Sequence, residues 1–319
     1  MRWFALAAAA LSLLSSGSAA ADYPDRPVRI VVPFIAGSAP DVAARQVAQR
    51  LTSGLGQQFI VENKPGAAGN IGAEVASRAT PDGYTLLLMT SSHVLNPYLY
   101  ARVNYDAVKD FVPVTMITRI PSLMVVPPSS PARSVVEFVA LAKSMPGKLN
   151  YGSGGAGSLA HLSAEVFRLA AGIDYLHVPY KGAPDIVLAL LSEQIQVGFP
   201  TMPTAVRPAQ QGTLRPLAVT SARRTKVLPD VPTLIEAMPG GFDLDAWLAL
   251  AAPAGTPPEI VARLYATLAE ALKDKGFRDT LDGDGSEIVL NSPAEFAAVL
   301  QGEAAKWQTL IKRVGVKLE

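Results

Sequence analysis

Apolar and polar positions follow two alternating registers along this chain. Arg26 to Phe34, "RPVRIVVPF", is a β-rich apolar run, followed by the short loop "IAGSAPD". In "DVAARQVAQRLTSGLG", Val42, Val47 and Leu51 recur at helical spacing until Gly54 and Gly56 end the run. "QFIVENKPGAAG" then reads as a strand with a glycine turn, "NIGAEVASRATPDG" as a helix and "YTLLLMT" as a third strand. Strand and helix in alternation predict a parallel sheet with helices on its faces.

The segment "FVPVTMITRIPSLMVVPPSS" holds two β-rich runs broken by Pro121, the pattern of a chain crossing from one lobe to another. Beyond it the alternation restarts: helix "SVVEFVALAKSMPG", strand "KLNYGS", helix "SLAHLSAEVFRLAAG", strand "IDYLHVPY", helix "APDIVLALLSEQ", strand "IQVGFP", short helix "AVRPAQQG" and strand "LRPLAVTS". A second crossing is expected at "AWLALAAPAG", near Trp247, and the last third is helical, each helix opened by proline in its first turn. The expectation is an α/β protein of two lobes with two crossover strands and a cleft between them. Residues 22–122 begin lobe 1, residues 123–246 form lobe 2, and residues 247–319 return to lobe 1. Two lobes on two crossings are the architecture of a hinged solute receptor.

The first residues change the compartment rather than the fold. One charge at Arg2, an apolar run from Trp3 to Leu14, a Ser/Gly patch and Ala19-x-Ala21 read as a secretory signal over residues 1–21, cleaved before Asp22. The apolar run is short of the roughly 20 residues a membrane span needs. Export to the periplasm as a free, monomeric protein is therefore expected. Cysteine is absent, so neither a disulfide nor a lipid anchor on cysteine is available. Lys plus Arg number 28 and Asp plus Glu 27, which leaves no global field to recruit nucleic acid or an anionic membrane.

Candidate chemistry concentrates at "YGSGGAGSLAH", where Gly152, Gly154 and Gly157 fit G-x-G-x-x-G. A dinucleotide site also needs an acid at the far end of the next strand. Asp174 has the spacing but precedes the strand "YLHVPY", at the wrong edge of the sheet. Another reading is a tight turn. A third is anion contact: Ser153, Gly154, Gly155, Ala156, Gly157 and Ser158 let backbone N–H groups face a ligand, and Ser158 can cap the helix. The first loop, "PFIAGSAPD", is built alike, with Gly37 and Ser38 at the turn and Asp41 in a capping-box position. Two helix N-termini facing one another would suit a ligand with carboxylate groups.

Catalytic readings find less support. The three histidines are His93, His161 and His177, without HExxH, paired metal spacing or a G-x-S-x-G elbow. His161 can cap, contact a ligand or pack. His93, in a loop after the third strand, is expected near the cleft, and His177, within a strand, is expected to be structural.

Several segments together resemble one family, the Bug-type periplasmic receptors of tripartite tricarboxylate transporters. They are "YPDRPVRIVVPF", "VENKPGAAGNIGAEVASRATPDGYTLLL", "YDAVKDFVPVTMI", "KLNYGSGGAGSLAHLSAEVF", "HVPYKG", "LAVTSARRTKVLPDVPTLIEA" and "APAGTPPEIVARL", in the family's order over nearly the whole chain after residue 21. The resemblance implies a type II periplasmic-binding-protein fold, no catalysis, no cofactor, and delivery of a small organic acid to a two-subunit membrane permease. It implies ligand contacts from Phe34, Ile35, Ala36, Gly37 and Ser38, from Ser91, Ser92 and His93, and from Ser153 to Ser158 with His161 behind. Where the family often has "FDN", this chain has "FPT" at Phe199, Pro200 and Thr201, and without that acid a ligand amine loses its partner. The expected ligand is thus a carboxylate without an amine, a di- or tricarboxylate or an aromatic acid. A sensory receptor docking on a membrane kinase, and a secreted hydrolase or isomerase using His161 with a serine, stay open as alternatives.

Overall fold

The computed structural model describes residues 23–276, 278 and 284–316; the segment read as an export signal lies outside the described residues. Two sheets organise the chain. The first orders its strands β11 (Glu287–Ile288), β4 (Phe111–Ile120), β10 (Ala246–Pro253), β3 (Thr85–Thr90), β1 (Val28–Val32) and β2 (Phe59–Asn63). The second orders them β7 (Leu176–Pro179), β6 (Asn150–Ser153), β8 (Val197–Gly198), β5 (Leu123–Val126) and β9 (Arg215–Val219).

Both sheets are mixed, which corrects the all-parallel expectation. Strands β1, β2 and β3 pair in parallel, but β10 lies antiparallel between β3 and β4. In the second sheet β6 is parallel to β7 and β8, whereas β5 is antiparallel to β8 and β9. Two of the antiparallel strands, β5 and β10, adjoin the crossings, because a chain that passes from one sheet to the other and back must return in the opposite sense; β11 also runs antiparallel to β4, at the sheet edge.

Alternate residues of the first sheet enter two separate cores. Val28, Ile30, Val32, Leu86 and Leu88 face one core, while Val31, Leu87 and Met89 face the other with Trp247 and Trp307. Burial on both faces explains why "YTLLLMT" is continuously apolar rather than alternating. The second sheet is covered likewise, with Met124, Val126 and Tyr151 on one side and Leu123, Val125 and Val219 on the other.

The helices are α1 (Ala39–Leu55), α2 (Asn70–Ser77), α3 (Ser91–Leu99), α4 (Val135–Ser144), α5 (Leu159–Ala171), α6 (Ala183–Leu191), α7 (Met202–Gln210), α8 (Leu234–Ala237), α9 (Pro258–Ala271) and α10 (Pro293–Val314). Pro258 and Pro293 open α9 and α10, where a missing N–H costs nothing. Helix α5 binds the sheets together. Ala164, Phe167 and Ala171 enter the core of the second sheet, while Leu162 and Val166 join Phe296 and Leu300 of α10 in a core of the first.

At the crossings, Thr220 ties three segments. Its backbone exchanges hydrogen bonds with Ser122 and Leu244, and its hydroxyl accepts from Ser122 N (2.8 Å) while donating to Asp245 Oδ1 (3.1 Å).

Candidate functional site

Topology brings the loop-bearing edges together. Strand β4 runs parallel to β3, since both oppose β10, and its C-terminal end leads directly into β5. Strand β5 opposes β8, so it starts at the edge where β6 and β8 end. The C-terminal edges of β1, β2 and β3 therefore meet those of β6, β7 and β8 across the crossings. Ligands of open α/β sheets lie at such edges.

On the second sheet, β6 ends at Ser153 and the loop 153–158 leads into α5. The glycines have separable causes. A Cβ on Gly152 would stand 2.5 Å from Ile195 Cδ1 and 3.3 Å from Tyr180 Cε2, so packing against those side chains favours glycine there. Gly155 and Gly157 have φ of +102° and +77°, which side chains rarely adopt. Ser158 caps the helix by accepting from His161 N (3.3 Å), and Gly157 N donates to His161 Nδ1 (3.1 Å). Among the described residues, the N–H groups of Leu159 and Ala160 in the first turn have no acceptor. They are the donors a carboxylate would meet.

Ser153 is fully buried, its hydroxyl 2.6 Å from His177 Nε2 and bonded to both the N–H and the carbonyl of Gly155. It shapes the loop from beneath. His177 stacks on Tyr151, with 4.9 Å between ring centroids, and lies 4.4 Å from His161. Tyr151 in turn donates to Glu165, which pairs with Arg168. Burial first, and then His177, depresses His161 to about 4, so the ring is neutral near pH 7.

The loop after β1 is more open. Ile35 is 67 % exposed, and Ala36 and Gly37 are also at the surface. The expected Ser38/Asp41 capping box does not form. Ser38 donates instead to Ile35 O (2.7 Å), and Asp41 reaches past it to Gly37 N (2.9 Å). Asp41 is buried with both oxygens engaged, Oδ1 by Asn63 and Oδ2 by Gly37 and Arg45. The Arg45 bond is the largest of the effects that hold its carboxyl down at about 2.

Ser91 to His93 form the first turn of α3 rather than a loop. His93 replaces the usual acid of a capping box: Thr90 N donates to its Nδ1 (2.9 Å). Its ring is fully buried beside Phe34, 6.2 Å between centroids, so it braces the first loop from behind. Pro200 and Thr201 are tied to the crossing, with Leu123 N donating to Pro200 O and Met202 N to Pro121 O. Asp174 precedes β7, at the edge opposite the glycine loop.

A family model described as tripartite tricarboxylate transporter family receptor matches residues 43–316. The chain belongs to that family. The receptor is 34 % identical over 299 residues to BugT of Bordetella pertussis, covering 93 % of this chain and 92 % of BugT. A Rhodopseudomonas palustris protein solved with adipate is 35 % identical, with a TM-score of 0.79 over 92 % of this chain and 99 % of that one. MatC of the same organism, solved with bound malate, is 31 % identical, with a TM-score of 0.76 over 91 % and 100 %. These neighbours are two-lobed proteins that hold carboxylates.

Sequence reasoning on this receptor passed over two features. One is the Ser153–His177 contact, which strand pairing creates and spacing alone does not announce. The other is the segment after β2, at the same edge, where Ala67 and Ala68 take left-handed φ of +46° and +54°. Asn96 holds Ala68 O at 3.1 Å, and the glycines of "KPGAAGN" are the signal that pointed there.

Proposed function

We propose that the chain is a periplasmic solute receptor that closes two lobes on a small amine-free carboxylate and delivers it to the permease of a tripartite tricarboxylate transporter. The lobes are residues 22–122 with 247–319, and residues 123–246; residues 1–21 are the cleaved export signal, and the receptor acts as a monomer without catalysis.

The observation that carries the reading is the convergence at one place of loops with donors to spare. Leu159 and Ala160 offer N–H groups at the head of α5, with Ser158 beside them, and the 34–38 loop stands opposite on the first sheet. The carboxylates seen in MatC and in the adipate-bound relative are the ligands such an arrangement favours.

Roles divide by burial. Ile35, Ala36, Gly37, Ser38, Ser92, Gly154 to Ser158 and the N–H groups behind them contact the ligand, with Phe34 and Ser91 at the margin. Asp41, His93, Ser153 and His161 brace the loops from beneath. Pro200 and Thr201 link the ligand edge to the crossing in place of an acid, which removes the partner of an amine.

Thermal denaturation of the purified exported chain against a panel of organic acids tests this. A ligand at 100 times its Kd stabilises by about 2.7 kcal/mol. Di- or tricarboxylates or aromatic acids should raise the Tm. A response confined to aspartate or glutamate would overturn the amine-free assignment.

A further inference from the structure

A cavity of about 440 Å³ lies away from the glycine loop, walled by the segment leaving β9 (Ser221 to Val227) and by the approach to β11 (Gly285 to Ile288) with Arg278. Strand order fixes its position. In the first sheet β11 lies beyond β4, away from β3 and β1; in the second β9 lies beyond β5, away from β8 and β6. Pro121 of the first crossing also lines it. The cavity is therefore behind the crossings, and its walls come from both sheets.

Its chemistry is cationic. Arg223, Lys226 and Arg278 line it, and none of the three has an ion pair among the described residues. Arg224 is already held by Glu236 (2.8 Å) and by Pro229 O. Among the described residues, Glu287 is the single carboxylate of the lining, and Thr225 adds a buried hydroxyl without a hydrogen-bond partner. Among the described residues, three cations without an ion-pair partner face one carboxylate, a balance that repels a metal ion and attracts an anion of more than one charge. The volume suits a small ligand.

We propose that this cavity is a second anion site, which takes a small multivalent anion such as a polycarboxylate or inorganic phosphate and opposes lobe closure when filled. Arg223 and Lys226 belong to the side of the second sheet and Arg278 to that of the first. An anion shared between them holds the rear walls together, while closure at the front, about crossings that lie between, draws them apart. The cleft ligand and the rear anion then weaken each other by the same factor. The coupling rests on the receptor reading; the site itself does not.

Calorimetric titration of the exported chain at low salt with citrate, and separately with inorganic phosphate, tests the site. Ile35→Glu places a carboxylate in the exposed first loop and disables the front without touching the rear. Binding should persist in Ile35→Glu, weaken about tenfold or more in Arg223→Ala/Lys226→Ala, and survive in Arg223→Lys/Lys226→Arg. Citrate alone, or both probes, tells a carboxylate source from a phosphate one. No titration of either probe below ~10 mM, or binding indifferent to the alanine pair, would overturn the site. Phosphate should also raise the Kd of an acid found to bind the cleft, and only in protein with Arg223 and Lys226 intact. An unchanged Kd overturns the coupling, whereas failure of every acid at the cleft with citrate still bound in Ile35→Glu overturns the receptor reading and leaves the rear site standing.

Discussion

Gly157 donates its backbone N–H to Nδ1 of His161, 3.1 Å away, while Ser158 Oγ accepts from His161 N. The bond to Nδ1 fixes the tautomer, leaving the proton on Nε2. The same device recurs on the other sheet, where Thr90 N donates to Nδ1 of His93. On both sheets the histidine stands at the third helical position, where a capping-box glutamate would; His93 completes the box by accepting from the N-cap Thr90, whereas His161 accepts from Gly157, one residue before the cap Ser158. A glutamate there would set a negative charge behind a loop proposed to receive a carboxylate, and a neutral imidazole does not.

Replacing His161 should therefore loosen the glycine loop. His161→Ala leaves Gly157 N–H without its acceptor and is expected to cost about 1–2 kcal/mol and to weaken ligand binding. His161→Asn, whose carbonyl oxygen can accept from the same N–H, should recover much of both. The pH dependence has a definite sign. Folding lowers this histidine from 6.5 to about 4, so the unfolded chain binds the extra proton first as pH falls. The stability it confers is complete above pH 6.5 and is lost as pH falls toward 4. Urea titrations at pH 7 and pH 5 should show a smaller pH difference for His161→Asn than for the parent; an equal difference would contradict the assignment.

Ser158→Ala removes the cap of α5 without emptying a core. The expected loss of stability is about 1 kcal/mol. If the hydroxyl also faces the ligand, affinity should fall further than stability does. Calorimetry beside thermal melts separates the two: unchanged affinity makes Ser158 a cap only.

The two-sheet fold was legible because both sheets are buried on both faces. Continuous runs such as "YTLLLMT" and "LMVV" identify such strands, and helical spacing identifies the helices between them. The glycine loop was legible for the same local reason, since Gly155 and Gly157 need left-handed φ and leave their mark on the sequence. What stayed hidden depends on pairing between distant segments. Ser153 meets His177 only because β6 and β7 are in register, Ser153 opposite Pro179. The spacing of Asp41 predicts a capping box with Ser38, but its side chain accepts from Gly37, Arg45 and Asn63 instead, the last supplied by β2. The turn of α3 at Ser91 was missed because Thr90 ends a strand and caps a helix at once, and no loop residues mark the change.

Asp41 gives a prediction at acid pH. Its folded value near 2 lies below the usual 3.8, so its contribution is present above pH 3.8 and is lost as pH falls toward 2. Arg45 is half exposed, and solvent screens that pair; the bonds from Gly37 and Asn63 carry more of the effect on the loop. Asp41→Asn keeps an acceptor but no charge, and should cost about 1–2 kcal/mol at pH 7. The gap between variant and parent should shrink below pH 3, measured by denaturant unfolding. A gap constant with pH would mean that the charge does not matter.

Asp245 predicts the opposite sign. It is buried at the crossings, accepts from the Thr220 hydroxyl at 3.1 Å, and is raised from 3.8 to about 6, by burial above all. Between pH 3.8 and 6 the folded protein binds the extra proton, so stability from this group is complete below pH 3.8 and is lost as pH rises through 6. Near neutral pH the crossing thus carries an ionised carboxylate whose desolvation is only partly offset by Thr220 and by the more distant charge of Arg119. Asp245→Asn retains the oxygen that Thr220 donates to and removes the charge. The variant should be more stable than the parent at pH 7, by about 1–3 kcal/mol, with the advantage vanishing below pH 4. Because Thr220 also holds Ser122 and Leu244, the same substitution should stiffen the hinge and slow hydrogen exchange at Ser122 and Thr220 at pH 7. Equal stability of the two proteins at pH 7 would show that water or movement of the crossing already relieves the buried charge.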